Sequence, residues 1–386
     1  MFTEETVIAL IEKGEDAFTQ FKVQVDRSDS LAREMVAFAN SEGGNIIVGV
    51  ANDKSIVGVK DIGALNQLIS NASSQNCVPP IHTITQNLII NQKLIVIIFV
   101  PQGVQKPYHT SKPIEYLIKS GADKRQMSTQ ELQRMVLQSA GISTEELPIQ
   151  NTDVEKDLNL PSLYLYFEKE HEESITQFTK NNNIDFVHLV NNLVIADENK
   201  LNLNGLLFFG KSPQRYRPLF VVKAVHFPGI DIADTEYISN SDFEGTLDIQ
   251  FRNTKDFILS NLPRKQNGQS FNSIGVPEIS EIAIEEAVIN ALVHRDYGIL
   301  SPIRVLIFQN RLEIISPGHL VNHLTVDKIK LGGTNARNPQ MLRFASRILP
   351  YRGLGSGILR ILKAHPKTDF INDREGQQFK VIMWRD

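Results

Sequence analysis

Three polar side chains recur at helical spacing in the segment EEAVINALVH, residues 285–294. Glu286, Asn290 and His294 follow one another at intervals of four residues, so a helix would place them on one face. A carboxylate and an amide one turn apart can serve the same ligand, because an amide oxygen can bind Mg²⁺ and a carboxylate can orient or deprotonate a water molecule. The segment therefore predicts a ligand-binding helix face.

A glycine-rich segment follows further along the chain, at RGLGSGI, residues 352–358. Gly353, Gly355 and Gly357 stand at alternate positions before a helical pattern. Glycines there let backbone N–H groups approach phosphate oxygens without obstruction by side chains. Between this segment and the polar helix, a strand ends in Ser316-Pro317-Gly318, and we expect that turn to form a wall of an adenine pocket.

The order and spacing of these segments resemble the GHKL ATPase fold of gyrase, heat-shock protein 90, histidine kinases and MutL. They more closely resemble a divergent branch found in bacterial proteins labelled transcriptional regulators or "divergent AAA" proteins. The resemblance covers roughly residues 155–386. The segments that carry it are LLFFGK at 206–211, Pro213-Gln214-Arg215, NALVHRDY at 290–297, LEIISPG at 312–318, Arg337-Asn338-Pro339 and RGLGSGI.

By this resemblance the C-terminal region binds ATP with Mg²⁺, and each motif takes a role from the family. Glu286 would be the general base and Asn290 the Mg²⁺ ligand. The expected nucleotide-binding residues are Asn290, His294, Ser316, Gly318, Gly353, Gly355 and Gly357. The chain departs from the family at the turn that reads adenine, where Ser316 replaces the aspartate of Asp-x-Gly. That departure puts the contact to the base, and ATP as the ligand, in question.

The N-terminal region has a second specific pattern, AFANSEGGNIIVGV at residues 37–50. The pair Gly43-Gly44 lets a helix turn sharply into a strand. Basic residues and two tyrosines interleave over residues 93–125, a pattern that can track phosphates and stack a base. An ordinary basic rim on an α+β domain accounts for the same residues about equally well.

This pattern resembles the Schlafen-type AlbA domain, a module associated with DNA or RNA binding and often fused to the divergent ATPase. The resemblance covers about residues 1–135 and implies a nucleic-acid partner. It does not distinguish DNA from RNA. The expected nucleic-acid contacts are Lys22, Lys106, Tyr108, Lys119, Lys124 and Arg125.

Some Schlafen proteins cut RNA with three clustered carboxylates, and this chain keeps one of them at the matching positions. Glu15 is present, Gln20 replaces the second, and Asp53 lies two residues later than the pattern requires. A metal-dependent nuclease needs paired carboxylates to hold its cation. The sequence therefore disfavours nuclease activity, whereas a weak ATPase activity is left open.

Length, composition and the distribution of apolar residues restrict the class of protein to which this chain can belong. With 386 residues the chain suits two or three domains, and its single cysteine, Cys77, excludes an internal disulfide. The apolar runs are too short for a membrane span and the first residues are too acidic for a signal peptide. Residues 145–200 are acidic and the last eighty or so are basic. We expect a cytoplasmic protein without a membrane partner.

These observations predict an α+β fold: an N-terminal mixed sheet with helices, then a mixed α+β segment, then a C-terminal α/β sandwich. The expected boundaries are 1–140 for the AlbA-like domain, 141–160 for a polar linker, 161–275 for a connecting region and 276–386 for the nucleotide-binding domain. The almost continuously apolar residues 94–100 predict a central strand, apolar residues 206–209 predict a buried strand, and residues 278–293 predict a long helix.

The leading hypothesis is a nucleic-acid-binding protein that responds to a nucleotide, a transcriptional regulator or a defence-related factor. Nucleotide binding at the glycine segment would change either the association state of the protein or the placement of its N-terminal domain. The first option implies that the protein forms a homo-oligomer in one of its states. Two alternatives stay open. One is an ATPase or a metal-dependent nuclease of the Schlafen type, and the other is a non-catalytic scaffold with a degenerate ATP pocket.

Overall fold

The computed structural model describes residues 2–266, 275–321 and 324–385. The chain folds into two compact units, Met1–Ile142 and Ser143–Asp386. Each unit contains both helices and mixed or antiparallel strands, which confirms the predicted α+β class.

The N-terminal unit is built around a four-stranded mixed sheet in the order β1-β2-β5-β4. Strands β1 and β2 are parallel, and β5 pairs antiparallel with both β2 and β4. The elements of this unit are helices α1 (Glu4–Lys13), α2 (Ser28–Asn40), α3 (Ile62–Asn71) and α4 (Thr129–Ser139), and strands β1 (Thr19–Lys22), β2 (Gly44–Val48), β3 (Cys77–Val78), β4 (Ile84–Ile90), β5 (Lys93–Val100), β6 (His109–Thr110), β7 (Leu117–Ser120) and β8 (Asp123–Gln126).

Strand β5 is apolar almost throughout because both of its faces are covered. Ile95 and Ile97 join the apolar cluster that contains residues of α1. Val96 and Ile98 join the cluster that contains residues of α2. The prediction of a central strand over residues 94–100 is therefore confirmed.

The glycine pair between α2 and β2 is required by close packing. Gly43 has a φ of +77°, in the region that glycine adopts without strain. A Cβ on Gly44 would lie 2.3 Å from the ring of Phe38, so a side chain does not fit there. The helix can therefore turn directly into the sheet, as the sequence predicted.

The C-terminal unit contains a six-stranded sheet in the order β12-β11-β15-β16-β18-β17. Its elements are helices α5 (Val154–Asp157), α6 (Leu160–His171), α7 (Ile175–Asn182), α8 (Phe186–Asn192), α9 (Leu203–Phe209), α10 (Pro213–Tyr216), α11 (Leu247–Asn261), α12 (Glu281–His294), α13 (Val326–Lys330), α14 (Pro339–Ile348) and α15 (Gly357–Ala364), and strands β9 (Ala196–Asp197), β10 (Lys200–Leu201), β11 (Val222–His226), β12 (Ser239–Phe243), β13 (Arg264–Lys265), β14 (Val276–Pro277), β15 (Ile303–Ile307), β16 (Arg311–Pro317), β17 (Thr368–Asp373) and β18 (Gln378–Trp384).

This sheet joins strands that the sequence analysis assigned to different domains. Strands β11 and β12 come from the expected connecting region, and β15 to β18 from the expected nucleotide-binding domain. Strand β11 pairs parallel with β15, so the two parts share one sheet. They also share one apolar cluster, which runs from Ile149 to Met383.

Residues 141–160 differ from the predicted linker. Ile149, Val154 and Leu158 are buried in the apolar cluster of the C-terminal unit, and residues 154–157 form helix α5. The prediction was wrong because these apolar residues are spaced irregularly among acidic ones. They pack one at a time without forming an amphipathic stripe.

Residues 206–209 also differ from their prediction as a strand, since they belong to helix α9. The side chain of Asn202 begins this helix by accepting a hydrogen bond from the backbone N–H of Gly205 at 3.0 Å. Every residue of α9 is buried. Because residues 206–209 are all apolar and all buried, they have no amphipathic period, and periodicity alone does not distinguish such a short helical segment from a buried strand.

Glu145, in the expected linker, caps helix α14. Its Oε1 accepts hydrogen bonds from the backbone N–H groups of Gln340 at 2.5 Å and Met341 at 3.3 Å. Burial raises the pKa of Glu145 to about 7, although the two backbone hydrogen bonds act in the opposite direction. The carboxyl group is only 1% exposed, so its ionisation is costly in the folded state.

Replacing Glu145 with glutamine should make stability less dependent on pH, because the amide can accept the same hydrogen bonds without ionising. A folded-state pKa raised above the unfolded value of 4.5 stabilises the fold below that pH, and the contribution is lost as pH rises through about 7. Relative to the native chain, Glu145→Gln should therefore gain up to about 3 kcal/mol between about pH 4 and pH 8.

The measurement is chemical denaturation of both proteins across that pH range. Glu155→Gln, at an exposed position on α5, is the matched control and should show no such gain. A difference between Glu145→Gln and the native chain that stays constant with pH would contradict this interpretation.

Candidate functional site

Helix α12 positions the three polar residues that the sequence analysis singled out. Most of its side chains are buried, and it packs against α15 and β16. Glu286, Asn290 and His294 occupy successive turns on the side of α12 that meets the glycine segment. Apolar packing on the other sides of α12 fixes the direction of these three side chains.

A cavity of about 130 Å³ lies beside this helix. Its wall includes every residue that was predicted to bind nucleotide: Asn290, His294, Ser316, Gly318, Gly353, Gly355 and Gly357. These residues come from α12, the end of β16 and the segment that leads into α15. The fold therefore brings three separate sequence motifs together around one space.

The remaining wall is mainly apolar. Strand residues Ile314, Phe379 and Val381 line it together with Val321 and Leu324. An apolar wall with a few convergent polar groups is typical of sites for small molecules and cofactors. Arg352, which could have filled the space, is exposed to solvent.

The glycine segment comes very close to α12. Gly353 and Gly355 have φ values of +68° and +70°, which favour glycine. At Gly357, the first residue of α15, an added Cβ would lie 2.7 Å from Glu286 Oε2 and 3.0 Å from Asn290 Nδ2. The absence of a side chain at this position therefore allows the start of α15 to meet the polar face of α12.

Glu286, the predicted general base, is held in an ion pair. Its Oε1 lies 2.6 Å from Nη2 of Arg360 on α15, and only 4% of the residue is exposed. Burial raises the pKa of Glu286, and the guanidinium of Arg360 opposes that rise. Among the described residues, no hydrogen-bond partner reaches the second oxygen, Oε2.

His294 is a neutral group at ordinary pH. Burial, together with the positive charge of Arg337, lowers its pKa to about 4. Its Nε2 lies 3.4 Å from the hydroxyl of Tyr351, another residue of the cavity wall. His294 therefore offers a ligand hydrogen bonding rather than a positive charge.

Ser316 lies at the turn that the resemblance described above would assign to adenine, and its hydroxyl group already has an acceptor. The Oγ–H donates to the backbone carbonyl of Ala291 on α12 at 3.0 Å. The oxygen therefore has lone pairs to offer a ligand while its proton is occupied. This arrangement favours a ligand with an amino group at this position.

The carboxylate next to this turn comes from Asp296, which the sequence analysis did not consider as part of the site. A Cβ on Gly318 would lie 2.6 Å from Cβ of Asp296. Asp296 Oδ2 lies 2.6 Å from Nη1 of Arg337, which lines the cavity. Asp296 and Arg337 belong to the sequence motifs HRDY and RNP. Spacing along the sequence does not reveal that these two motifs meet in the fold.

In the N-terminal unit, two of the predicted nucleic-acid contacts share one buried partner. Lys22 Nζ lies 3.0 Å and Lys124 Nζ 2.7 Å from Oε1 of Glu34, whose side chain is 2% exposed. Attraction to both lysines keeps the pKa of Glu34 low against the effect of burial. The two ammonium groups are therefore fixed in position.

The other predicted contacts differ in how accessible they are. Arg125 makes two hydrogen bonds to Glu131, and Lys106 Nζ donates to the carbonyl of Ser41 at 2.6 Å. Lys119 is 8% exposed and donates to Gln20 Oε1 at 3.0 Å. Burial lowers the pKa values of Lys106 and Lys119.

The stacking role expected for Tyr108 is wrong. Tyr108 is 5% exposed, and a Cβ on Gly103 would lie 2.1 Å from its ring. Its backbone N–H donates to Asn40 Oδ1 at 2.7 Å. The tyrosine therefore belongs to the core, and its ring has no face open to a base.

A second cavity, of about 570 Å³, lies in the N-terminal unit. Its charged and polar lining is mixed in sign: Gln20, Lys22, Arg33, Glu34, Glu115, Asp123, Lys124, Arg125 and Gln126. Three of the six predicted nucleic-acid contacts, Lys22, Lys124 and Arg125, therefore share this cavity.

The carboxylate positions of the Schlafen nuclease pattern are engaged in internal hydrogen bonds. Glu15 Oε1 accepts from the side-chain amide of Gln20 and from the backbone N–H of Phe21 at 2.7 Å. Asp53 accepts from the backbone N–H of Ser55 at 2.9 Å. Over residues 2–266, 275–321 and 324–385, no three His, Cys, Asp or Glu side chains are grouped to hold a metal ion. In the same ranges no helix is both long and apolar enough to span a bilayer.

Two solved structures are similar to this chain at low identity. One is the DIP2311 protein of Corynebacterium diphtheriae, with 17% identity, a TM-score of 0.45 and coverage of 100% of this chain and 76% of the other. The second is the N-terminal domain of a "Putative ATP-dependent DNA Helicase RecG-related Protein" from Nitrosomonas europaea, with 21% identity, a TM-score of 0.27 and coverage of 33% of this chain and 92% of the other. Comparison with curated proteins gives no match.

Two protein families match separate parts of the chain. Residues 15–128 match the family described as Schlafen, AlbA_2. Residues 301–383 match HATPase_c_4, described as "Putative ATP-dependent DNA helicase recG C-terminal". The second match includes Ser316, Gly318 and the glycine segment, while α12 precedes it. The chain therefore carries a Schlafen AlbA_2 domain in its N-terminal unit and a HATPase_c_4 domain in its C-terminal unit.

Proposed function

We propose that this chain binds ATP in its C-terminal unit and nucleic acid through its N-terminal unit, and that the first event regulates the second. One observation carries the proposal. The predicted nucleotide-binding residues, from three separate motifs, line one cavity within a unit that matches an ATPase-type family. Chance placement of unrelated turns would not bring them together beside Glu286.

The apolar part of the cavity is the proposed site of the base. Ile314, Phe379 and Val381 offer a surface for a flat ring. The oxygen of Ser316 can accept a hydrogen bond from an exocyclic amino group, because its own proton points to Ala291. Adenine presents an amino group where guanine presents a carbonyl oxygen, so this serine favours ATP over GTP.

The phosphates fit the glycine segment. Gly353, Gly355 and Gly357 leave the backbone open toward the cavity, and backbone N–H groups bind phosphate oxygens well. Asn290, which lines the cavity, supplies an amide oxygen of the kind that a hard cation accepts as a ligand. Bound Mg²⁺ would neutralise charge on the phosphates.

Hydrolysis should be slow in the arrangement described. A general base must have a lone pair within reach of the attacking water. Here Oε1 of Glu286 is in contact with Arg360, whose positive charge opposes the rise in pKa that burial causes, so in this arrangement the carboxylate is a weaker base than burial alone would make it. The chain is therefore proposed as a nucleotide-binding switch with weak ATPase activity at most.

Nucleic acid is proposed to bind at the cavity of the N-terminal unit, through contacts to its phosphates. Lys22 and Lys124 are held by Glu34, and Arg125 lines the same space. Such contacts fix position without reading sequence. We propose binding that is largely independent of sequence, to either DNA or RNA.

The nucleotide site can be tested by titrating Mg-ATP and following the melting temperature of the full chain. A ligand that binds the folded state alone adds about 2.7 kcal/mol at a hundredfold excess over its dissociation constant, which corresponds to a shift of a few degrees. Asn290→Ala should lose the shift. The matched control is Asn253→Ala at an exposed position on α11, which should keep it. Absence of a shift with ATP, ADP and GTP alike would refute the proposal and favour a scaffold.

The nucleic-acid site can be tested by fluorescence anisotropy with labelled single-stranded RNA, single-stranded DNA and duplex DNA at several salt concentrations. Lys124→Gln should weaken binding about tenfold and reduce the salt slope by about one, as expected for loss of a phosphate contact. Lys13→Gln, at an exposed ion pair of the same unit, should leave both unchanged. Equal losses in the two variants would indicate binding through general charge and contradict the site.

Coupling between the units predicts that Mg-ATP changes nucleic-acid affinity or association state. Anisotropy and sedimentation velocity would be measured with and without the non-hydrolysable ATP analogue AMP-PNP. A change in either quantity should disappear in Asn290→Ala, because coupling is a difference in binding free energy that requires the bound nucleotide. If the analogue binds but alters neither quantity, the two activities are independent and the regulatory part of the proposal is wrong.

A further inference from the structure

Arg360 lies between Glu286 and the nucleotide cavity. It is on α15, close after the glycine segment, and it lines the nucleotide cavity. In the structure its Nη2 contacts Glu286 at 2.6 Å. The side chain of Arg360 is 29% exposed while that of Glu286 is 5% exposed. The guanidinium therefore covers a buried carboxylate on one side and faces the cavity on the other.

The guanidinium has hydrogen-bonding capacity beyond this ion pair. An arginine side chain carries five N–H donors in a fixed fork. Its Nε is buried and has no hydrogen-bond partner within the described parts of the chain, while the side chain as a whole is partly exposed and lines the cavity. A phosphate group can accept two parallel hydrogen bonds from arginine, and such bonds are stronger than neutral ones. A phosphate at the glycine segment would thus compete with Glu286 for the same cation.

The position of Gly357 brings these groups together. Because residue 357 has no side chain, the start of α15 lies against Glu286 and Asn290. Arg360 is one helical turn further along α15. A ligand that reaches from the base wall to the start of α15 would present its last phosphate, rather than its base, to Arg360.

We propose that Arg360 binds the terminal phosphate of the nucleotide, and that Glu286 is the counterion which holds it in place when no phosphate is bound. Arg360 thereby distinguishes nucleoside triphosphates from nucleosides and shorter nucleotides. This inference rests on the proposed nucleotide site and identifies the part of the ligand that the site recognises. It also explains why a buried carboxylate beside the cavity has an arginine partner.

The test is isothermal titration calorimetry of the full chain with Mg-ATP, Mg-ADP, AMP and adenosine. The native chain should prefer ATP to adenosine. Arg360→Gln should lower ATP affinity tenfold or more and leave adenosine affinity unchanged, since a lost charge-assisted contact to phosphate affects only ligands that have the phosphate. Arg360→Lys should recover part of the loss, because lysine keeps the charge but not the fork.

Glu286→Gln should change ATP affinity in the opposite direction. Removing the competing negative charge should raise ATP affinity several-fold and leave adenosine affinity unchanged. A residue that served folding alone would not produce a gain in binding. Arg374→Gln, at an exposed position in the turn after β17, is the matched control and should change neither affinity.

Arg360→Gln leaves Glu286 buried without its cation, which can itself destabilise the fold. The double variant Glu286→Gln/Arg360→Gln removes both charges and keeps the experiment informative if the single variant does not fold. It should bind adenosine as the native chain does and lose the preference for ATP. A double variant that folds and still prefers ATP as strongly as the native chain would overturn the assignment of Arg360.

Failure of the role assigned to Arg360 and failure of the nucleotide site would give different results. If ATP and adenosine affinities fall equally in Arg360→Gln, the nucleotide site stands and the role of Arg360 as a phosphate ligand is overturned. If the native chain binds none of the four ligands, the proposed nucleotide site fails, and this inference fails with it.

Discussion

At Gly357 the start of helix α15 lies against the polar face of helix α12. A Cβ there would lie 2.7 Å from Glu286 Oε2 and 3.0 Å from Asn290 Nδ2, so a side chain at this position would push both side-chain ends aside. Glu286 would then have to leave the position in which it pairs with Arg360, and Asn290 the position in which it lines the cavity. The missing Cβ thus leaves room for the two polar side chains on which the candidate site depends.

The site was predictable where its chemistry lies in short segments and unpredictable where it depends on pairing between them. Helical spacing placed Glu286 and Asn290 on one face, and the structure has them there. The glycines at alternate positions also proved to line the same cavity. The partners of the charged groups were not predictable, since Arg360 and Arg337 are distant in sequence from the carboxylates that they meet. Spacing along a chain does not encode such pairings.

The fold, like the site, was predictable from the sequence in some segments and not in others. The strand over residues 94–100 was predicted because continuous apolar character suits a strand with both faces covered. The same criterion failed for residues 206–209, because this end of the fully buried helix α9 is also continuously apolar. Residues 141–160 were expected to be a linker on composition, yet Glu145 caps α14 and Ile149 packs in the core. Composition describes the average environment of a segment and overlooks single residues that make long-range contacts.

The charged residues of the N-terminal unit show that basic residues in a sequence need not form a binding surface in the fold. Tyr108 and Lys119 were expected to face a ligand, and both are buried. Lys22 and Lys124 keep access to a cavity, but the carboxylate of Glu34 neutralises part of their charge. Such pairing lowers the attraction for a polyanion and fixes the ammonium groups in place, so less side-chain entropy is lost when a phosphate binds. A site of this kind binds more weakly but with a more fixed geometry, which fits the proposal that nucleic-acid binding is regulated.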